Sequence, residues 1–238
     1  MTMSGADKPR QLPLELRHAA GHSRDDLMVS AANADAVALI DRWPDWTSPV
    51  VVLAGPPGAG KSHLAAIWRD ASGAILLSAD AIRDREASGE AALEVCVEDA
   101  DRADLDQTGL FHLINRIRAG GGHLLLTARR FPAAWGVTLP DLASRLKAAT
   151  TVEIHEPDDA LLAGVITKLF ADRQVEVDPS VVLYIARRIE RSLSAAIRAV
   201  EILDRLALER KSRITRVLAA EAIAALEAGS RGHDNQDR

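Results

Sequence analysis

Gly55-Pro56-Pro57-Gly58-Ala59-Gly60-Lys61-Ser62 decides how this chain reads, because its glycines, lysine and serine fall in the spacing G-x-x-x-x-G-K-[ST]. The apolar run Val50-Val51-Val52-Leu53-Ala54 precedes it and a helical pattern from Ser62 to Arg69 follows, which is the strand-to-helix context such a phosphate-binding loop (P-loop) requires. Glycines let the backbone curl so that successive N–H groups face a polyphosphate, and the following helix adds its positive N-terminal end. The candidate nucleotide-binding residues are therefore Gly55, Pro56, Pro57, Gly58, Ala59, Gly60, Lys61, Ser62 and His63. Lys61 is expected at the terminal phosphates of ADP or ATP, and Ser62 at a Mg²⁺ ion through its hydroxyl.

The 238 residues suffice for one large domain, or for a large domain with a smaller lid. Hydrophobic residues make up 47% and charged residues 26%, both ordinary globular values, while the net charge of −5 argues against a broad basic surface for coating nucleic acid. One cysteine, Cys96, permits no internal disulfide, and no apolar run approaches the roughly 20 residues needed to span a bilayer. With no leader pattern at the start, the reading is a cytoplasmic protein with no membrane partner. Cys96, between Val95 and Val97, reads as a small buried hydrophobe rather than a reactive thiol.

Residues 1–24 form an expected flexible segment, within which Gln11-Leu12-Pro13-Leu14-Glu15-Leu16 alternates apolar positions around a proline. By pattern alone this is either an extended peptide offered to another protein or a tail packed on its own domain. A helix is expected from Ala31 to Trp43, then strands at 50–54, 73–78, 93–99, 123–127 and 151–154 alternating with helices, including Thr108 to Arg118 and Asp141 to Ala148. That alternation predicts an α/β fold with a parallel sheet covered on both faces, spanning residues 25–156. After Pro157 the pattern turns wholly helical, with helices expected over Asp158–Ala171, Ser180–Arg191, Leu193–Arg210 and Thr215–Ala228, a lid of residues 157–229 followed by a disordered tail at 230–238.

Leu93 to Val97 runs into two carboxylates, Glu98 and Asp99. Acids at the C-terminal edge of a sheet beside a P-loop are how ATPases of this kind hold Mg²⁺ and orient the attacking water; Glu98 is the candidate for the metal and Asp99 for the water. The seven histidines show no metal-ligand spacing, and the four tryptophans are too scattered to form a stacking platform. The lid's arginines and lysines are balanced by as many acids, 11 each between Pro157 and Gly229, so they read as solvated helix faces or partner contacts.

This order of parts resembles the AAA+ ATPases, and within them the relatives of the bacterial replication initiator DnaA, over about residues 11 to 228. The likeness rests on the P-loop followed by His63-Leu64, the strand-end Glu98-Asp99, Leu126-Thr127-Ala128-Arg129-Arg130-Phe131-Pro132, and Leu139-Pro140-Asp141-Leu142-Ala143-Ser144-Arg145-Leu146. The last looks like the family's arginine-finger box, which makes Arg145 a catalytic candidate acting in trans. Gln11, Leu12, Leu14 and Leu16 are similar to the sliding-clamp-binding peptide of Hda-type regulators, which also lack the DNA-binding domain of DnaA. The resemblance implies a clamp-associated regulator that promotes hydrolysis of DnaA-bound ATP and restrains replication initiation. Its implied partners are DnaA, the DNA polymerase sliding clamp, DNA indirectly through the clamp, and a further copy of itself in a homo-oligomer.

Two positions depart from the pattern. Arg129 stands where a small polar or acidic sensor is usual, and Ser194 where the lid normally presents a sensor arginine; Arg191 and Arg198, a helical turn away, are the candidates to stand in. Both departures favour a regulator with weak or no ATPase of its own, and Asp99 is then vestigial. The other class is an independent AAA+ ATPase such as a helicase loader, which robust turnover by the isolated protein would distinguish.

Overall fold

The computed structural model describes residues 24–77, 82 and 94–233. Gln11, Leu12, Leu14 and Leu16, the acidic stretch before the third strand and the last five residues lie outside the described residues.

Val50–Ala54 forms β1, the middle of the P-loop half of the sheet, and its alternation serves both faces at once. Val50 and Val52 join Val97, Leu124 and Leu126 on one face, against Leu110 and Ile114 of α3 (Gln107–Gly120) and Leu142 and Leu146 of α4 (Pro140–Lys147). Val51 and Leu53 join Cys96 and Leu125 on the other, against Val37 and Ile40 of α1 (Ala34–Asp41) and Leu64 and Trp68 of α2 (Lys61–Ser72). A strand buried on both sides has no polar phase, which is why its sequence is continuously apolar.

The other strands are β2 (Ile75–Leu77), β3 (Glu94–Val97), β4 (His123–Ala128) and β5 (Thr150–Glu153). All pairings are parallel, in the order β2-β3-β4-β1-β5, so the chain has the expected α/β P-loop sheet flanked by helices. Strand order places β4 between β1 and β3, bringing their C-terminal ends, and the loops that leave them, to one edge.

Beyond β5 the chain is helical: α5 (Asp159–Asp172), α6 (Pro179–Ala186), α7 (Leu193–Arg210) and α8 (Arg216–His233). They share a separate apolar core of Leu162, Ile166, Phe170, Val182, Ile185, Ala199, Leu203 and Ala222. Side-chain caps start these helices: Asp158 accepts from Leu161 N–H (2.7 Å), Asp178 from Ser180 N–H (2.8 Å) ahead of Pro179, and Ser192 from Ala195 N–H (3.1 Å).

Two boundaries differ from expectation. The helix expected to run to Arg191 ends at Ala186, because the chain must leave it to set Ser192 as the cap of α7. The last helix continues past Ala228 to His233, where a disordered tail was expected from residue 230; once nucleated, each further residue adds a backbone hydrogen bond to the helix.

Cys96 is fully buried on β3, and burial pushes its thiol up to about 12, so it is an inert core residue. The tryptophans pack inward: Trp46 stacks on Trp68 with centroids 5.2 Å apart, and Trp135 Nε1 donates to Arg130 O (2.7 Å). Among the described residues no helix is long and apolar enough to cross a membrane, and no cluster of His, Cys, Asp and Glu forms a metal-ligand group.

Candidate functional site: a phosphate cradle under the lid

Gly55 leaves β1 through a hydrogen bond from its N–H to Ala128 O (3.1 Å), which ties the P-loop to the end of β4. A Cβ on Gly55 would collide with the carbonyl of Ile154, so the close approach of the β5 exit demands glycine there. Gly58 (φ +73°) and Gly60 (φ +103°) take the left-handed backbone that turns the loop into α2. Gly60 caps α2 without any side-chain acceptor, leaving the first-turn N–H groups for an anion.

Lys61 is buried, with 7% of its surface exposed, and its Nζ donates to Gly55 O (2.7 Å) and Pro56 O (2.8 Å). Burial holds its ammonium below the ordinary lysine value, with Asp99 and Asp101 pulling the other way. The ammonium is thus cradled by neutral carbonyls and has a partly met demand for negative charge, which fits a polyphosphate at this place. Ser62 Oγ donates to Glu98 Oε2 (3.0 Å), bringing a hydroxyl and a carboxylate oxygen together as a hard-cation pair would need. The residues present therefore fit both a nucleotide and Mg²⁺.

Asp99 is exposed in a left-handed conformation (φ +52°), uncommon for a residue with a Cβ. Thr127, 1% exposed at the end of β4, holds it there: Thr127 Oγ1 accepts from Asp99 N–H (3.1 Å) and Thr127 O from Ala100 N–H (2.8 Å). Asp101, also buried, faces Arg130 across 3.6 Å. Neither role for Thr127 and Asp101 was read from the sequence, where they pass for an ordinary strand residue and a surface acid. Arg129 follows Ala128 directly and adds its positive charge to the field around Lys61.

The start of α7 meets the loop at Gly58 and Gly60. Leu193 N–H donates to Gly58 O (2.8 Å), and a Cβ on Gly58 would stand 2.5 Å from Ser192 Cβ and 2.9 Å from Ser194 Oγ. Ser194, expected at the lid's sensor position, therefore lies against the P-loop and brings a hydroxyl, not a cation. Arg191 does not replace it, because its guanidinium is spent on Asp159 Oδ1 (3.0 Å) and Pro157 O (3.4 Å). Arg198 lines a hollow of the lid with Arg188 and Ile223. His63 is half-buried on α2.

Arg145 sits near the C-terminal end of α4. The chain there is joined to the start of the sheet, with Ser48 Oγ donating to Ala148 O (3.4 Å) and Thr47 Oγ1 bonded to Thr150 Oγ1 (3.2 Å). This is the edge opposite the P-loop, so Arg145 is out of reach of its own chain's phosphate cradle. It is half-buried and has no carboxylate partner among the described residues.

A five-stranded parallel sheet with a P-loop after the interior strand β1, a strand-end carboxylate against the P-loop serine and a helical lid meeting the loop define a P-loop fold of the AAA+ type. The chain belongs to the AAA domain family, whose pattern matches residues 50–192. No curated protein matches it. Among solved structures it is similar to domain III of the replication initiation protein DnaA from Thermotoga maritima, at a TM-score of 0.73 and 16% identity, covering 86% of this chain and 96% of that one. It is also similar to AMPPCP-bound DnaA from Aquifex aeolicus (TM-score 0.65, 18% identity, 89% and 70% covered) and to the RuvB Holliday junction branch migration motor of Thermotoga maritima (TM-score 0.70, 18% identity, 87% and 72% covered). At these identities the likeness is one of fold.

Proposed function

We propose that this protein is a regulator in which a bound adenine nucleotide sets structure, and which acts by supplying Arg145 to the ATP site of a DnaA-type initiator. In this reading residues 25–156 form the nucleotide-binding unit and 157–229 its lid, and the N-terminal Gln11, Leu12, Leu14 and Leu16 bind the sliding clamp. The solved DnaA relative bound to AMPPCP supports an adenine nucleotide at the cradle. The observation that carries the regulatory reading is the lid contact: Ser194 occupies the place beside Gly58 with a hydroxyl, while Arg191 is held by Asp159.

Bound Mg²⁺–nucleotide supplies charge neutralisation at the phosphates. The chain's own residues do the rest: Lys61 binds, Ser62 and Glu98 orient the metal side, Asp99 faces water, and Ser192 to Ser194 close over the loop. Phosphoryl transfer depends on positioned positive charge, and the lid side here lacks it, which favours retention over turnover. Arg145, on the opposite edge of the sheet, is free to complete a neighbour's site instead. A guanidinium stays charged and offers a fork of donors to the spreading negative charge of the transferring group.

The test is a reconstituted assay with clamp on DNA, ATP-loaded DnaA and this protein, following phosphate release. Arg145→Ala should leave folding and ADP binding intact while removing stimulation, a loss within the roughly 10³ to 10⁵ range of arginine fingers. Replacing Gln11 and Leu12 by Ala should abolish clamp binding with thermal stability unchanged. Full stimulation by Arg145→Ala would remove the finger role; no stimulation by the unmodified protein would leave the independent ATPase, which the intact Ser62–Glu98 pair also fits.

A further inference from the structure

Tyr184 is the only tyrosine of the chain and lies on the lid, half-buried on α6. Two guanidinium groups rest over its ring: Arg188, four residues on, at 3.9 Å from the centroid, and Arg216, the first residue of α8, at 4.6 Å. Elsewhere in the lid arginines find carboxylates, as Arg191 does with Asp159 and Arg210 with Glu221. Arg188 and Arg216 have no carboxylate partner among the described residues. Two like charges thus share one aromatic ring, an arrangement the ring's negative π-faces make tolerable but do not neutralise.

Beside this stack opens a hollow of about 280 Å³, bordered by Arg188 and Arg198 and floored by Ile189, Ala195, Ile223 and Leu226. Next to the stack in sequence, Leu183 (44% exposed) and Val217 (72% exposed) present aliphatic surface to solvent. Pre-oriented guanidinium forks, an aromatic and an apolar recess are the composition of an interface centre rather than of a solvated face.

We propose that this lid face, centred on Tyr184, Arg188 and Arg216, docks an acidic peptide segment of a protein partner, with carboxylates paired to the two guanidiniums and an aliphatic or aromatic anchor in the hollow. Charge complementarity sets the sign of the occupant, since a carboxylate meets a guanidinium fork with two parallel hydrogen bonds. A polynucleotide suits the face less well. Glu190 and Glu227 also border the hollow, and they repel a continuous phosphate backbone where a peptide can place its charges individually. This surface is distinct from the P-loop and from Arg145, so it does not rest on the function proposed above.

The experiment has two arms. A phage-displayed dodecapeptide library is selected on the full chain and, separately, on the Arg188→Ala/Arg216→Ala double variant, after circular dichroism shows that the variant is folded. The expected result is enrichment, on the unmodified chain alone, of sequences with Asp or Glu flanking Leu or Phe. The best such peptide is then titrated into protein selectively labelled at tyrosine, whose single ring signal reports Tyr184; it should shift on binding, with affinity falling about tenfold or more in the double variant and with added salt. Arg188→Lys and Arg216→Lys should recover part of the affinity, because charge remains while fork and stacking are lost. Enrichment without acidic bias, equal enrichment on the double variant, or a tyrosine signal that moves with an oligo-dT strand and not with the peptide would each overturn the proposal.

Discussion

Leu193 N–H and Gly58 O, 135 residues apart in the chain, are joined by a 2.8 Å hydrogen bond that seats the lid on the phosphate loop. The bond places the N-terminus of α7 where it touches the same loop that a nucleotide would use, so lid position and site geometry are mechanically one variable.

Gly58→Ala tests this seating. The new methyl meets Ser192 and Ser194 and also forces a Cβ onto a φ of +73°, two independent penalties at one residue. Destabilisation of roughly 1–3 kcal/mol is expected from such backbone strain, together with weakened ADP binding. Unchanged melting temperature and unchanged calorimetric affinity would mean that the lid is not held on Gly58 in solution.

Lys61 gives a prediction with a sign. Burial lowers its free-protein value below 10.5, whereas phosphates beside it favour the charged form and raise it again. Between the lowered value and the raised one, ADP binding must take up a proton, and affinity must fall as pH rises through that alkaline interval. Calorimetry in buffers of different ionisation enthalpy reads the uptake directly. Lys61→Ala should both weaken binding strongly and abolish the linked proton; a linked proton that survives the substitution would belong to another group.

Glu98→Gln keeps an acceptor for the Ser62 hydroxyl but removes the charge a divalent cation needs. Stability should change by no more than about 0.5 kcal/mol, as for a partly exposed site whose hydrogen bond is retained. The difference between nucleotide affinity with Mg²⁺ and with EDTA should shrink. An unaltered Mg²⁺ dependence would move the metal away from Glu98.

Ser194→Arg should return a cation to the lid side of the loop. The unmodified protein is expected to turn over ATP far below the ordinary enzyme median of about 10 s⁻¹. The variant should bind ATP more tightly than ADP, or hydrolyse it faster, because Ser194 Oγ already lies beside Gly58. Arg191→Ala should do neither, costing its exposed ion pair with Asp159, worth about 0–1 kcal/mol, and its long hydrogen bond to Pro157 O. Fast turnover by the unmodified protein would instead favour an independent ATPase.

Much of the site was legible because its signals are local. The P-loop glycines, Lys61, Ser62 and the acids after β3 are recognisable from spacing and from the apolar strands that precede them, and β1 and β3, on either side of β4, bring them to one edge of the sheet. Thr127 was not legible as the anchor of Asp99, because its hydroxyl meets a backbone N–H 28 residues earlier only when β3 and β4 pair. The same holds for Asp101, whose burial depends on the loops packed around it.

The sequence by itself determined the α/β fold, the phosphate loop and the helical character of everything after Pro157, since period, glycine placement and helix caps act over a few residues. Only tertiary structure decided that Ser194 lies on Gly58 while Arg191 turns to Asp159, that Arg145 stands at the sheet edge away from its own cradle, and that Arg188 and Arg216 share one tyrosine. Those relations depend on how separately folded elements pack. A guanidinium can reach any of several partners within its length, and the choice is made by which carboxylate, carbonyl or ring the packing brings near it.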